Sequence, residues 1–271
     1  MAANNLRIIY KNLADTATVT ASTTSSALTA ASNLKLDAKS QVWRSTTNSA
    51  TLTVTLATPA LIGGVILPFC NLGATSTVTV TLNTGFTTGA VLAAPYQNSV
   101  QVDTTNIPVG ANGYSYGGGA YARVWFTPQT CASLTITISN PSSTYIELSR
   151  LIIGDYWSPT YNTSYGLSTQ VKDLTTQTRT ESGDLISNRG TLSNSISLNL
   201  DYLTVEDRAK LLTILRNNGM YQPLFISVFP NNSDDYTKEI GFQIYGKLNQ
   251  LNAISHPYMS VYTSTLDIDE V

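Results

Sequence analysis

Few residues in this 271-residue chain carry the chemistry of catalysis. His256 is its one histidine, in an Ile-Ser-His-Pro-Tyr stretch ahead of Pro257. A lone imidazole in such a loop reads as a surface residue, and a Ser-His-Asp triad would have to use it. Asp234 and Asp235 have the type for an acid pair or a calcium site. Adjacent carboxylates among asparagines read instead as a solvated hairpin tip, and no EF-hand spacing follows. Gly117-Gly118-Gly119 lacks the Lys-Ser/Thr ending and the following helix of a phosphate cradle. Tyr114, Tyr116 and Tyr121 flank it, and an aromatic-glycine loop at the tip of a β-sandwich can stack on a sugar ring. The plainer reading is a turn whose tyrosines cover a core edge or touch a neighbouring subunit. Arg44 beside Trp43 and Arg123 beside Val124 suit structural roles, holding carboxylates or carbonyls. Cys70 and Cys131 read as two separately buried thiols, with a disulfide as the alternative. Neither has a second metal ligand nearby. No catalytic residue, metal ligand or cofactor is expected, and the chain reads as a non-enzyme.

Composition sets the background for whatever positions these residues. Hydrophobic residues make up 42% of the chain, enough for real cores, and charged residues only 12%, about half the usual share. Polar faces must therefore come from threonine, serine and asparagine, as in β proteins whose faces lie against neighbours. A net charge of -2 leaves no electrostatic footprint for nucleic acid. The start, MAANNLRIIYKNLADTATVT, has no basic segment leading into an apolar core, so no signal peptide is expected. No apolar run approaches the ~20 residues of a membrane span, and membrane insertion is not expected. Synthesis in the cytoplasm as a soluble protein follows from both.

The elements are strands. Leu6–Tyr10 reads as the first of them, Thr16–Ala31 as a small-polar edge, and Ser32–Ser45 as a loop that carries Leu34, Leu36, Val42 and Trp43 into a core. Thr51–Leu56, Thr77–Leu82 and Ser133–Ser139 alternate threonine or serine with Leu, Val and Ile, the period of a half-buried strand. Leu61–Phe69 is apolar at nearly every position, as a strand covered on both faces would be. Asn83-Thr84-Gly85 and Asn112-Gly113 are turn signals. Tyr145–Pro159 (YIELSRLIIGDYWSP) reads as a closing strand followed by an anchored linker, with Tyr156, Trp157 and Pro159 at a domain seam. The expected division is a β jelly roll or sandwich over 1–158 and a second domain over 159–271.

That second domain opens with a polar arm (159–180, strand-like over Tyr161–Arg179), followed by a turn at Ser182–Arg189 and an alternating strand through Ile196, Leu198 and Leu200. The spacing predicts one helix over 204–218. Thr204 caps it, Glu206 and Asp207 sit at its positive end, Val205, Ala209, Leu212 and Leu215 form its stripe, widened by Leu211 and Ile214, and Gly219 ends it. Pro223–Phe229 and Ile240–Leu248 read as strands around a turn at Asn231–Asp235, and Val261–Ile268 as the strand that closes the sheet. The fold class is mainly β: a jelly roll plus an α+β barrel or sandwich covered by one helix.

Asn33-Leu34, then Val42-Trp43-Arg44-Ser45, the strand Leu52–Leu56, Pro59–Leu67 and the closing Tyr145–Gly154 resemble the galactose-binding-like, discoidin-type jelly roll, many members of which bind glycans. The wider order is Gly154–Pro159, the arm, Arg179–Asp184, the helix Leu203–Gly219, Pro223–Ile226, Tyr245–Leu248 and the ending Leu266–Glu270. It resembles the tail-tip proteins of long-tailed bacteriophages, distal tail proteins in particular, which join a jelly roll to a tail-tube-like β domain. That resemblance implies a structural virion protein at the tail tip. It implies a ring of self-associated copies, six by expectation, contacting the tail tube and other baseplate proteins, and no cofactor. In distal tail proteins the tube-like domain commonly comes first, whereas here the jelly roll leads. The rival reading is a carbohydrate-binding module that recognises a host-surface glycan through the Tyr114–Tyr121 loop. A hydrolase would need a pair of carboxylates facing a groove, and no spacing points to one.

Overall fold

Alternating threonines and aliphatics do form the main strands. The computed structural model describes residues 5–89, 91–92, 113–230 and 236–271. In chain order its first strands are β1 (Arg7–Ile9), β2 (Thr18–Ala21), β3 (Trp43–Arg44), β4 (Ser49–Cys70), β5 (Thr77–Leu82), β6 (Val91–Leu92), β7 (Ala120–Ser139), β8 (Glu147–Leu148) and β9 (Ile152–Gly154). Then follow β10 (Ser168–Asp173), β11 (Thr176–Arg179), β12 (Leu185–Asn188), β13 (Leu192–Leu203), α1 (Val205–Asn218), β14 (Leu224–Ser227), α2 (Tyr236–Gly241), β15 (Gln243–Leu248), β16 (Ser255–Tyr258) and β17 (Val261–Glu270). The turn signals at Asn112 and Asn231–Asp235 lie outside the described residues.

The first unit is an eight-stranded sheet in the order β3-β8-β4-β7-β5-β6, with β2 and β9 also pairing β4. Two expected strands, Thr51–Leu56 and Leu61–Phe69, are one 22-residue strand. Register shifts against β7 near Thr55/Ala60, Ile62/Gly64 and Leu67/Cys70 let β4 bend. Its first half pairs β2, and its second half pairs β8 and β9. The sheet thereby folds over a single core of Trp43, Leu52, Val54, Ile62, Val80, Ile136 and Ile153. Tyr145–Gly154, expected as one closing strand, is split into β8 and β9. Cys70 and Cys131 are buried and unbonded, and burial pushes the Cys70 thiol up to about 12.

The second unit is a seven-stranded sheet, β1-β14-β15-β17-β13-β10, with β16 added on β17. Helix α1 covers one face, and Leu211, Ile214 and Leu215 pack against Ile196, Leu198, Ile226, Ile244 and Leu266. Thr204 Oγ1 accepts from the Asp207 N–H at 3.1 Å, and Asp207 Oδ2 accepts the Thr204 N–H at 3.4 Å. This reciprocal cap fixes the helix start. Gly219 follows at φ +54.

Four expectations about this unit change. A second helix, α2, joins the one expected and holds Ile240, so the strand expected over Ile240–Leu248 begins only at Gln243. The strand expected to open the first domain belongs here: β1 pairs antiparallel with β14, Ile8 opposite Ile226. The sandwich is thus inserted between the first strand of the second sheet and the rest. Leu6 and Ile8 supply apolar surface that the inner face of this sheet lacks without them. Next, β17 does not close the sheet but lies inside it, between β15 and β13. Finally, the turn expected over Ser182–Arg189 sits earlier, at Thr180–Asp184, where the Thr180 N–H donates to the Asp184 carbonyl at 2.9 Å. Of the expected arm, β10 is an edge strand of the sheet, and only the β11–β12 hairpin stands away from it.

Candidate functional site

The seam residues lie where the two units meet. Tyr156 sets its ring edge-on to Trp125 at 5.6 Å, and the Arg7 guanidinium lies 4.4 Å over Tyr156 and 5.2 Å over Trp125. Trp157 exchanges backbone hydrogen bonds with Ile8 at 2.8 and 2.9 Å. The Pro159 carbonyl accepts from Asn5 Nδ2 at 3.0 Å. Around them Ile9, Ile66, Phe69, Tyr121, Phe225 and Tyr245 form an apolar cluster fed by both sheets.

Buried charge crosses the same seam. Arg123 Nε and Nη2 each stand 2.8 Å from Glu239 Oε2, with both side chains almost fully buried. Glu239 Oε1 accepts from Trp125 Nε1 at 3.2 Å and from Ser227 Oγ at 3.1 Å. Arg150 reaches Asp15 at 2.8 Å and Asp37 at 3.0 Å, and its Nε donates to the Tyr245 hydroxyl at 3.0 Å. Burial raises the Asp15 carboxyl above its ordinary range, against the pull of Arg150. Arg44 pairs with Glu147 and lies over Tyr145 within the sandwich. Sequence reasoning assigned Arg123 a structural partner but had no signal for Glu239, 116 positions away.

The glycine-tyrosine loop packs inward at this seam, so Tyr114 and Tyr121 offer no open ring face to a sugar, while Tyr116 stays partly exposed. Tyr114 is 6% exposed and its hydroxyl donates to Glu147 Oε1 at 2.9 Å. Tyr121 is 8% exposed, lies edge-on to Phe69 at 5.3 Å, and donates to Glu270 Oε1 at 2.8 Å. Burial and the facing carboxylates hold both hydroxyls well above the usual phenol range. Tyr116 is half-buried, bridged through its backbone to Leu192, with Arg189 5.5 Å over its ring. A Cβ on Gly119, at φ +91, would stand 2.7 Å from Tyr114, so glycine is needed for close approach, not for a ligand.

No Gly-x-Ser-x-Gly elbow was expected at any serine, yet Gly113-Tyr114-Ser115-Tyr116-Gly117 has that spacing. Gly113–Ser115 forms a 3-10 turn ahead of a strand, not a strand-to-helix elbow. His256 stacks on Tyr262 at 4.5 Å, by the end of β13 where Leu203 faces Tyr262. Tyr116 touches the other end at Leu192, on the order of 30 Å away along the strand. Ser115, next to Tyr116, and His256 therefore cannot form a catalytic pair.

Two features remain open. One is a cleft of about 350 Å³ beneath the loop, bounded by Gly117–Gly119, β10, β13 and the start of β15. The Gln243 side chain lines it, 7% exposed, and neither its Oε1 nor its Nε2 has a hydrogen-bond partner. The other is the β11–β12 hairpin, a two-stranded sheet of its own with every residue exposed. Leu185 is 52% and Ile186 59% exposed, and Leu174 and Val171 at its base are more so. Among the described residues no group of three His, Cys, Asp or Glu is placed to hold a metal ion, and no helix is long and apolar enough to cross a membrane.

No protein-family model matches the chain, and a search of curated proteins finds no match. Solved structures do match part of it. The family 32 CBM from C. perfringens NanJ in complex with galactose is 13% identical, with 54% of this chain and 98% of that one covered and a TM-score of 0.38. Chitosan-binding module 1 of a Paenibacillus sp. IK-5 chitosanase/glucanase is 18% identical over 54% of this chain and 99% of its own, TM-score 0.37. The lectin domain of lectinolysin complexed with Lewis B antigen is 15% identical over 53% and 95%, TM-score 0.37. These neighbours are carbohydrate-binding domains, and none of the three is a tail protein.

Proposed function

We propose that the chain is a non-enzymatic structural subunit of a phage tail tip, whose copies close into a ring joining the tail tube to the attachment apparatus. On this reading it is made in the host cytoplasm and ends in the virion. The observation that carries it is the β11–β12 hairpin. A lone two-stranded hairpin is marginal in water, and among the described residues none covers the strands of this one, which are exposed throughout. Burying an aliphatic side chain such as Leu185 or Ile186 against a neighbour contributes roughly 1.5–3 kcal/mol each. The sequence order of elements, similar to that of distal tail proteins, supports the same reading. So does β1, which starts the second sheet ahead of the sandwich and so brings the domain order nearer to theirs.

Solution mass followed across concentration tests this. A closed oligomer, six copies by expectation, should form in the wild type. The double variant Leu185→Asp, Ile186→Asp should stay monomeric. A monomer at every concentration would sink self-assembly of the isolated chain.

A second reading is recognition of a neutral surface glycan, and the polar cleft at the seam favours it over the buried tyrosines. A glycan array with the full chain reads it directly.

A further inference from the structure

Strand β13 alternates until it reaches Asp201 and Tyr202. Ile196, Leu198 and Leu200 point into the core under α1, and strict alternation would send Tyr202 there too. Instead Leu200 pairs with Ser264 and Leu203 with Tyr262, so two residues of β13 stand opposite the single Thr263. This bulge returns Leu203 to the core and leaves Asp201 and Tyr202 with Thr263 on the outer face of the sheet. Tyr202 is 62% exposed there. The segment that follows Pro159 brings it a partner. Asn5 Nδ2 donates to the Pro159 and Thr160 carbonyls at 3.0 Å, Asp207 Oδ2 accepts the Thr160 N–H at 3.1 Å, and the Asn199 carbonyl accepts the Ser164 N–H at 2.9 Å. Pinned in this way, Tyr161 stays 59% exposed and sets its ring 6.4 Å from that of Tyr202, at 66°. Two separate devices thus hold together a pair of rings that the cores do not use. Beside the pair, on the same outer face, is an open pocket of about 320 Å³ lined by Asp201, Asn252, Ser255, Thr263 and Thr265.

We infer that the tyrosine pair and this pocket form one binding site for a neutral saccharide, with a sugar ring stacked on Tyr202 and hydroxyls held by Asp201. The inference rests on the glycan reading, to which it gives a site, and is independent of ring assembly. The face of a tyrosine ring is electronegative, and the C–H face of a pyranose complements it. The Asp201 side chain is half-buried at the pocket wall, and among the described residues no hydrogen bond or ion pair engages it. An ionised carboxylate only accepts, and two adjacent sugar hydroxyls can both donate to it. The Thr263 and Ser255 hydroxyls across the pocket can donate or accept in turn. Among the described lining residues there is no lysine or arginine, and Asp201 and Asp267 are carboxylates, which disfavours an anionic ligand. Apart from Ala253 the lining is polar, which disfavours a lipid. The site sits toward the opposite end of β13 from the seam cleft, which Asn194, Ser195 and Ile196 line.

The test is titration of the full chain with lactose, maltose and N-acetylneuraminic acid, read by ligand-observed NMR. Lactose or maltose should bind and the acidic sugar should not. Tyr202→Ala and Asp201→Ala should each weaken binding by about tenfold or more, and Tyr161→Ala by less. All three positions lie outside the cores, so the melting temperature should stay that of the wild type. Val171→Trp, at an exposed position lining the seam cleft, should leave binding unchanged. Neutral-sugar binding that survives Tyr202→Ala and Asp201→Ala overturns the inference while leaving the glycan reading intact. Binding lost only in Val171→Trp does the same, by placing the sugar in the seam cleft. Binding of no neutral sugar overturns both, and preference for the acidic sugar overturns the assigned class.

Discussion

The seam and the arm are built from similar residues put to opposite uses. At the seam, Arg123, Glu239, Arg150 and Tyr245 are buried and tied across two sheets by direct hydrogen bonds, with Phe225, Tyr121 and Trp125 packed around them. In the arm, Arg179 donates to the Gly183 carbonyl within its own turn, and Leu185 and Ile186 are exposed. Burial converts the first set into a rigid joint, because an ion pair out of water holds only while both partners stay in place. Exposure leaves the second set free to act on another molecule. The chain therefore spends its few charges on internal geometry and keeps aliphatic surface for contact.

That contrast can be broken most sharply at its most buried point. Glu239→Ala should cost up to about 3–5 kcal/mol in chemical denaturation, because Arg123 would lose the carboxylate it meets at 2.8 Å, and Trp125 and Ser227 their acceptor. Pairing it with Arg123→Met should recover a large part of the loss. If the single variant is as stable as wild type, the joint is not held by this pair.

A milder change sits at the half-exposed edge of the same joint. The Asp15 carboxyl is raised in the folded chain above its ordinary value of 3.8, chiefly by burial. The folded state therefore binds this proton more tightly than the unfolded one. The contribution is fully present below about pH 3.8 and is lost as pH rises through the raised value. Replacing the group by Asp15→Asn removes that slope. The stability of the variant relative to wild type should improve as pH is raised from about 3 to about 6. Parallel pH profiles would show that Asp15 titrates as it does in the unfolded chain.

The smallest effect on folding belongs to the arm. Leu185→Asp with Ile186→Asp should change monomer stability by no more than about 0.5 kcal/mol, while abolishing any self-association. A large loss of stability would mean that the hairpin is part of a core and not a contact arm.

Local pattern was legible wherever one face of an element met one core. Thr77–Leu82 and Ser133–Ser139 alternate as read, and pair with each other, Val80 opposite Ile136. The Thr204 cap and Gly219 bracket α1 because capping depends on neighbours in sequence. Positions in space were not legible. Tyr114 and Tyr121 left two readings open, sugar stacking or cover for a core edge, and only the tertiary structure shows both rings buried in a cluster fed by both sheets. Nothing in the sequence marked Gln243, one of several side chains with buried polar atoms lacking a hydrogen-bond partner, because such an atom is known only once its neighbours in space are.

By itself, then, the sequence determined strands, helix ends and a sparing use of charge, since periodicity, caps and composition act over a few residues. The tertiary structure alone decided that β1 belongs to a sheet completed more than two hundred residues later, that the loop tyrosines face inward, and that Arg123 meets Glu239. Such pairings are set by which apolar faces must be covered and which charges must be neutralised once the chain has folded back on itself. No local window of residues contains that information.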